Sequence, residues 1–168
     1  KILDYIYSSA YELLKRKIVK LIRTKKNLGY NDGVNIAYRL IDPRSKYIAI
    51  VNSDARLKND FISYQVRFME RNPYVGAVQG IVLKWKSNYV DSTGFYIDRG
   101  INLYPVHKIQ DISKYESLCI SHVEATVPFY RVKALRESVS KNYIFLPGSF
   151  ILWFDGIFVG RKLWAKGY

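Results

Sequence analysis

Asn52-Ser53-Asp54 follows the apolar run Tyr47-Ile48-Ala49-Ile50-Val51. A continuous run of that kind suits a strand buried on both faces. The triplet then falls at the carboxyl edge of a sheet, where open α/β sheets bind their ligands. Alternation along an extended chain puts the side chains of residues 52 and 54 on the same side. A carboxylate at that edge can bind a hard cation, which in turn bridges diphosphate oxygens. Asn52 can hydrogen-bond a ribose hydroxyl or a metal-bound water. By type alone, Asn-Ser-Asp is also ordinary turn composition, so the elements around it have to decide.

A second polar stretch precedes it. Lys25-Lys26-Asn27-Leu28-Gly29-Tyr30 runs through Asn31-Asp32-Gly33 to Asn35. Glycines permit close backbone approach to a ligand, and a helix N-terminus suits phosphate. A plain strand-to-helix turn explains the same residues.

The elements that must position these residues are legible as alternating periods. Residues 8–17 read as a helix, with Ser8 or Ser9 as N-cap and Glu12 in the capping-box region. Residues 19–22 read as a short strand, 34–41 as a helix and 47–51 as a buried strand. Residues 61–71 carry one apolar helical face, with Asp60 as cap, and 76–83 form another buried strand. Helix and strand alternate, which implies βαβ units, a mostly parallel sheet and helices on its faces. Beyond residue 85 the pattern loosens into short polar strands around 89–97, an aromatic-rich stretch at 144–154 and a helix at 157–166. The expectation is a single α/β domain over residues 1–168. Residues 1–85 would form a nucleotide-binding half, and residues 86–168 would build a second site on the same sheet.

Composition narrows the partners. A chain of 168 residues that is 49% apolar can bury a full core, which excludes a disordered chain. A formal charge of +13 favours anionic partners: nucleotides, phospholipid surfaces or nucleic acid. The basic residues are spread through the chain and no recognised nucleic-acid motif is present, so nucleic acid is the weakest of the three. Cys119 is the sole cysteine, so no intramolecular disulfide can form. Cys119 and His122 could share a metal, but a buried cysteine and a lone structural histidine explain them better. No stretch reaches the length of a membrane span, and no signal peptide pattern opens the chain. A cytoplasmic protein resting on the inner face of a membrane is the expectation.

The string NLGYNDGVN, a helix, YIAIVNSDARLKNDF, and a helix ending MERNPYVGAV together resemble the family 2 glycosyltransferases of GT-A fold. VDSTGFYID, VEATVPFYRVKAL and FILWFDGIFVGRKLWAKGY are similar to that family's acceptor half and its terminal helix closing on Gly-Tyr. The resemblance covers the whole chain. It also implies a departure: the family's first strand and helix and its C-terminal elements are missing, as in a fragment or an unusually reduced enzyme.

The resemblance implies roles. The family triplet is usually Asp-x-Asp, with Asn-x-Asp a frequent variant. Asp54 would hold Mg²⁺ or Mn²⁺ at the donor diphosphate, and Asn52 would take the place of the first aspartate. Asp4 would match the aspartate that ends a family strand and contacts the base or ribose, unless it merely approaches a helix. Asn27, Gly29 and Asn35 would shape the nucleotide pocket. Asp155 is the implied catalytic base of an inverting transfer. It stands at the first position of the family's acidic pair, while Gly156 occupies the second, which often carries the base. An N-cap aspartate is the plainer reading of Asp155. Arg131 and Trp153 would lie near the acceptor, although a solvated arginine and a core tryptophan account for them as well. The implied partners are a nucleotide-diphosphate sugar and a glycan, protein or lipid-linked acceptor. A non-catalytic sugar-nucleotide or glycan-binding relative is the alternative that Gly156 raises.

Overall fold

The computed structural model describes residues 2–99, 103–105, 117–148 and 154–168. The first helix, α1 (Ile2–Lys15), begins six residues earlier than its sequence signals suggest, so Ser8 and Ser9 are interior rather than capping. Residues 19–22 do not form the expected strand. Leu21 and Ile22 stay exposed, and Lys20 Nζ donates to the Leu40 carbonyl instead. An apolar run becomes a strand only where another strand satisfies its backbone.

Helix α2 (Gly29–Arg39) starts with Gly29 at φ 75°, a left-handed value that favours glycine at this entrance. Asn27 Oδ1 accepts from the Gly29 N–H at 2.9 Å, tying the turn. The buried face of α2 is polar, carrying Asn31, Asn35 and Tyr38 at helical spacing.

Strand β1 (Tyr47–Ala49) leads to α3 (Phe61–Arg71), which forms over the expected residues. Asp60 occupies the N-cap position but makes no side-chain cap bond. The strand expected at 76–83 is split into β2 (Ala77–Gln79) and β3 (Val82–Leu83) around Gly80. A Cβ on Gly80 would come within 2.7 Å of the Phe61 ring. Next, β4 (Val90–Ser92) pairs with β3, and β5 (Phe95–Ile97) pairs with β6 (Leu103–Pro105). The chain then passes through β7 (Pro128–Arg131) into α4 (Val132–Ser138) and closes with α5 (Phe154–Trp164).

The main sheet has the order β1-β7-β2, and β7 is antiparallel to both neighbours. The expected mostly parallel sheet is therefore corrected: every strand pair among the described residues is antiparallel. The βαβ reading keeps one element of truth. Two strands antiparallel to the same partner run the same way, so β1 and β2 are co-directional and α3 is their crossover. What hydrophobic periodicity does not reveal is that a strand from the second half enters between them.

That central strand carries the core. Phe129 and Tyr130 on it and Val132 at the start of α4 are buried, and Tyr130 joins Ala134, Leu135, Ile144, Phe145, Val159 and Leu163 in one cluster. Helix α5 reaches this core through Gly156 and Gly160, one turn apart. A Cβ on Gly156 would stand 2.5 Å from the Val123 carbonyl oxygen, and one on Gly160 would collide with the Ser121 carbonyl. The helix backbone thus lies directly on residues 121–123. The closing Gly-Tyr is a Schellman cap. Gly167 has φ 83°, its N–H reaches the Trp164 carbonyl, and the Tyr168 N–H reaches the Leu163 carbonyl.

Candidate active site

Pairing between β1 and β7 continues past the regular strand. The Ile50 N–H donates to the Pro128 carbonyl at 3.1 Å, and the Asn52 N–H to the Thr126 carbonyl at 3.2 Å. The chain then turns, with the Ala55 N–H bonded to the Asn52 carbonyl at 3.0 Å. The triplet is therefore a strand end followed by a turn, and simple alternation does not govern its side chains. Asn52 is half-buried and its Oδ1 is buried without a hydrogen-bond partner. Ser53 and Asp54 sit in the turn and are exposed.

Opposite Asn52 runs Glu124-Ala125-Thr126, the segment that enters β7. The Glu124 N–H donates to Gln79 Oε1, at the carboxyl end of β2, at 2.5 Å. Gln79 Nε2 donates in turn to Ser92 Oγ at 3.2 Å. Thr126 Oγ1 donates to Glu124 Oε1 at 3.0 Å, while Glu124 Oε2 is buried with no partner. The segment thus bridges the carboxyl ends of β1 and β2. Sequence reasoning passed over Glu124. The signal it left was a lone carboxylate in an otherwise uncharged run, Val123 to Tyr130.

Asp155 joins the same edge from α5. Asn31 Nδ2 donates to Asp155 Oδ1 at 2.5 Å. Tyr30, one residue before Asn31, donates its hydroxyl to the Ala125 carbonyl at 2.9 Å and stacks on Phe145. Burial raises the Asp155 carboxyl above its ordinary pKa, against the opposing pull of the Asn31 bond. Burial, then the Asp155 charge, push the Tyr30 hydroxyl up to about 12. Asp155 lies within the first turn of α5 rather than at its N-cap. The first turn of α2 therefore gathers Asp155 and the 124–126 segment, and through Thr126 the segment holds Asn52.

The remaining expected residues fall elsewhere or serve the framework. Asn35 is 1% exposed. Its Oδ1 accepts from the Ile144 and Phe145 N–H groups at 2.9 and 3.2 Å, and its Nδ2 donates to the Phe145 carbonyl at 2.9 Å. Asn27 and Gly29 shape the entrance of α2, as described above. Asp32 Oδ1 accepts from the Gly148 N–H. Arg131 lies at the opposite end of β7, paired with Tyr47. Its guanidinium donates to the Met69, Asn72 and Val75 carbonyls and to the Tyr47 hydroxyl. It closes the C-terminus of α3, at the end of β7 away from residues 124–126. Asp4 falls inside α1, so it does not end a strand. Trp153 lies outside the described residues.

Cys119 is exposed, against the expectation of burial. His122 is buried and stacks on Phe95 at 5.5 Å, its pKa lowered by burial to about 4. Among the described residues no three His, Cys, Asp or Glu side chains come together as a metal cluster. The donors at the sheet edge are hard oxygens, a carboxylate at Asp54 and an amide oxygen at Asn52 that lacks a hydrogen-bond donor. Both suit Mg²⁺ or Mn²⁺ in kind.

No curated protein and no solved structure matches the chain. The description Glycosyl transferase family 2 matches residues 4–137, a span that holds β1, the triplet, the 124–126 segment and β7, and ends before α5. That span is most of the molecule and includes the strand ends on which the candidate site is built, so the chain belongs to glycosyl transferase family 2.

Proposed function

We propose that the chain is the nucleotide-sugar-binding core of an inverting glycosyltransferase. In this reading the donor is a nucleotide-diphosphate sugar, and the acceptor is a hydroxyl of a glycan, a protein or a lipid-linked sugar. The observation that carries it is the link between Asp155 and the Asn52 triplet, two segments about a hundred residues apart joined at one sheet edge through Tyr30, Asn31 and residues 125–126.

Asp155 accepts the acceptor's hydroxyl proton as that oxygen attacks the anomeric carbon. The bond from that carbon to the diphosphate oxygen breaks, and its electron pair leaves with the diphosphate. A carboxyl raised by burial is a stronger base than an exposed one, which favours Asp155 for this step. Asn31 fixes the orientation of one carboxylate oxygen. Asp54 and Asn52 would hold Mg²⁺ or Mn²⁺, which supplies charge neutralisation for the leaving diphosphate.

The test is release of nucleoside diphosphate from a panel of UDP-, GDP- and dTDP-sugars. Asp155→Asn lowers turnover on the order of a hundredfold or more while nucleotide affinity stays unchanged. Equal turnover by the variant removes Asp155 from the chemistry.

One observation favours a second reading, a non-catalytic nucleotide-sugar or glycan-binding relative. Gly156 lies so close to the Val123 carbonyl that no second acid fits at that position without a shift. Sustained turnover with any donor and acceptor excludes this reading.

An anionic membrane surface fits the same function. Lys15, Arg16, Lys17, Lys20, Arg23, Lys25 and Lys26 fall within twelve residues that contain no acid, and Ile18, Leu21 and Ile22 are exposed among them. Among the described residues no helix is long and apolar enough to cross a membrane. Co-sedimentation with vesicles containing phosphatidylserine, and not with phosphatidylcholine alone, is the expected result. Equal partitioning onto both contradicts it, and salt-sensitive binding to oligonucleotides in its place points to nucleic acid.

A further inference from the structure

Two buried acceptor atoms at the sheet edge have no hydrogen-bond partner, Asn52 Oδ1 and Glu124 Oε2. Leaving such groups unmet costs folding free energy, and more for a charge. Unmet atoms of this kind call for a physical reason. Here both atoms are acceptors, so what they share is a demand for positive charge or for hydrogen-bond donors.

Their placement is fixed by the backbone. The Asn52 N–H bonds the Thr126 carbonyl, and Thr126 Oγ1 bonds the other oxygen of Glu124. Thr126 therefore orients the Glu124 carboxylate with one oxygen engaged and one spare. Gln79 holds the Glu124 backbone from the β2 side. A surface carboxylate with an idle oxygen would be satisfied by water; this one is closed off from it.

The triplet also has a charge deficit. With asparagine at position 52, Asp54 is the only anion it contributes. Affinity for a hard cation depends on how many anionic oxygens surround it. Position 156 offers no replacement, because a side chain there meets the Val123 carbonyl at its first carbon. The residue after Val123 is Glu124.

We propose that Glu124 is a second carboxylate of the divalent-cation site, acting with Asn52 Oδ1 on the neighbouring strand. The inference rests on the donor-site reading above and extends it to a residue outside the Asn-Ser-Asp triplet. The cation class is that of oxygen-ligand ions such as Mn²⁺ and Mg²⁺.

The experiment uses MnCl₂ alone, with the free-ion electron paramagnetic resonance signal as the reading, on the native chain, Glu124→Gln and Asp54→Asn. Glutamine keeps the size of the side chain and an oxygen for Thr126. Glu124→Gln is expected to weaken Mn²⁺ binding at least tenfold. Without metal it should melt at or above the native temperature, because it removes a buried carboxylate oxygen that lacks a partner. Mn²⁺ should raise the melting temperature of the native chain and not that of the variant. If Glu124→Gln binds Mn²⁺ as the native chain does while Asp54→Asn does not, Glu124 is no ligand and this inference alone fails. If the native chain binds no Mn²⁺ at millimolar concentration, the cation site fails as a whole and the inference with it. If Glu124→Gln melts well below the native chain without metal, Glu124→Asp decides. Recovered stability without recovered Mn²⁺ binding marks a structural carboxylate and overturns the proposal. Recovery of both supports it.

Discussion

Asn35 and Asn52 have the same side chain and opposite circumstances. Asn35, on the inner face of α2, has its oxygen and its nitrogen engaged by the backbone of residues 144–145. Asn52, at the end of β1, keeps its Oδ1 buried and without a donor. The two regions around them differ in the same way. Along α2, Tyr30, Asn31, Asp32, Asn35 and Tyr38 all bond to the second half of the chain. At the sheet edge, Asn52 and Glu124 hold acceptors in reserve. A satisfied buried amide builds the framework, whereas an unsatisfied one calls for a physical reason, which at the sheet edge is the proposed cation.

The comparison breaks most severely at Asn35. Asn35→Ala leaves two N–H groups and a carbonyl of residues 144–145 without their partner, and should cost about 4 kcal/mol of folding stability. Urea unfolding measures this. If the loss is under about 1 kcal/mol, the region is not held as described. Asn52→Ala should cost far less by the same measurement, since Oδ1 gives up no bond.

His122 tests the framework by pH. Its folded pKa lies near 4 against an ordinary 6.5, because burial favours the neutral ring. The stability it contributes is therefore present above pH 6.5 and is lost as pH falls from 6.5 through about 4. The full shift corresponds to about 3 kcal/mol. His122→Gln should flatten that part of the stability profile relative to the native chain. Parallel profiles contradict the assignment.

Gly156→Asp sharpens the comparison from the α5 side. Restoring an acid there forces a side chain against the Val123 carbonyl, at a cost of about 2 kcal/mol. Thermal melting reads it out. A variant as stable as the native chain would show that α5 can retreat from residues 121–123, and would reopen position 156 to a carboxylate.

These contrasts explain what the sequence could and could not convey. Helix α3 is legible residue by residue because its apolar stripe is local, and α5 is found within three residues for the same reason. The run at 47–51 is recognisable as a strand, but its direction relative to its neighbour depends on residues 128–131, far along the chain. Residues 19–22 look like a strand and are none, since a ladder partner is not a property of the segment itself. The site shows the same division. Asn-Ser-Asp stands at a strand end, as the apolar run before it suggests. Asn35 and Arg131 have functional types but are spent on carbonyls and amides that only the folded chain brings near. Glu124 is the reverse case, an inconspicuous residue given significance by a partner it lacks. Gly156 reads as a lost acid, and the fold adds the reason a side chain cannot stand there.

The most direct test of the account is thermal melting with UDP, GDP, dTDP and ADP, each with and without Mn²⁺, on the native chain and on Asp54→Ala. A ligand that binds only the folded state must raise the melting temperature. The account predicts that one nucleotide stabilises the native chain only when Mn²⁺ is present, and that Asp54→Ala abolishes the shift. Equal stabilisation of both chains, or none by any nucleotide at millimolar concentration, would contradict a cation-assisted donor site at the end of β1.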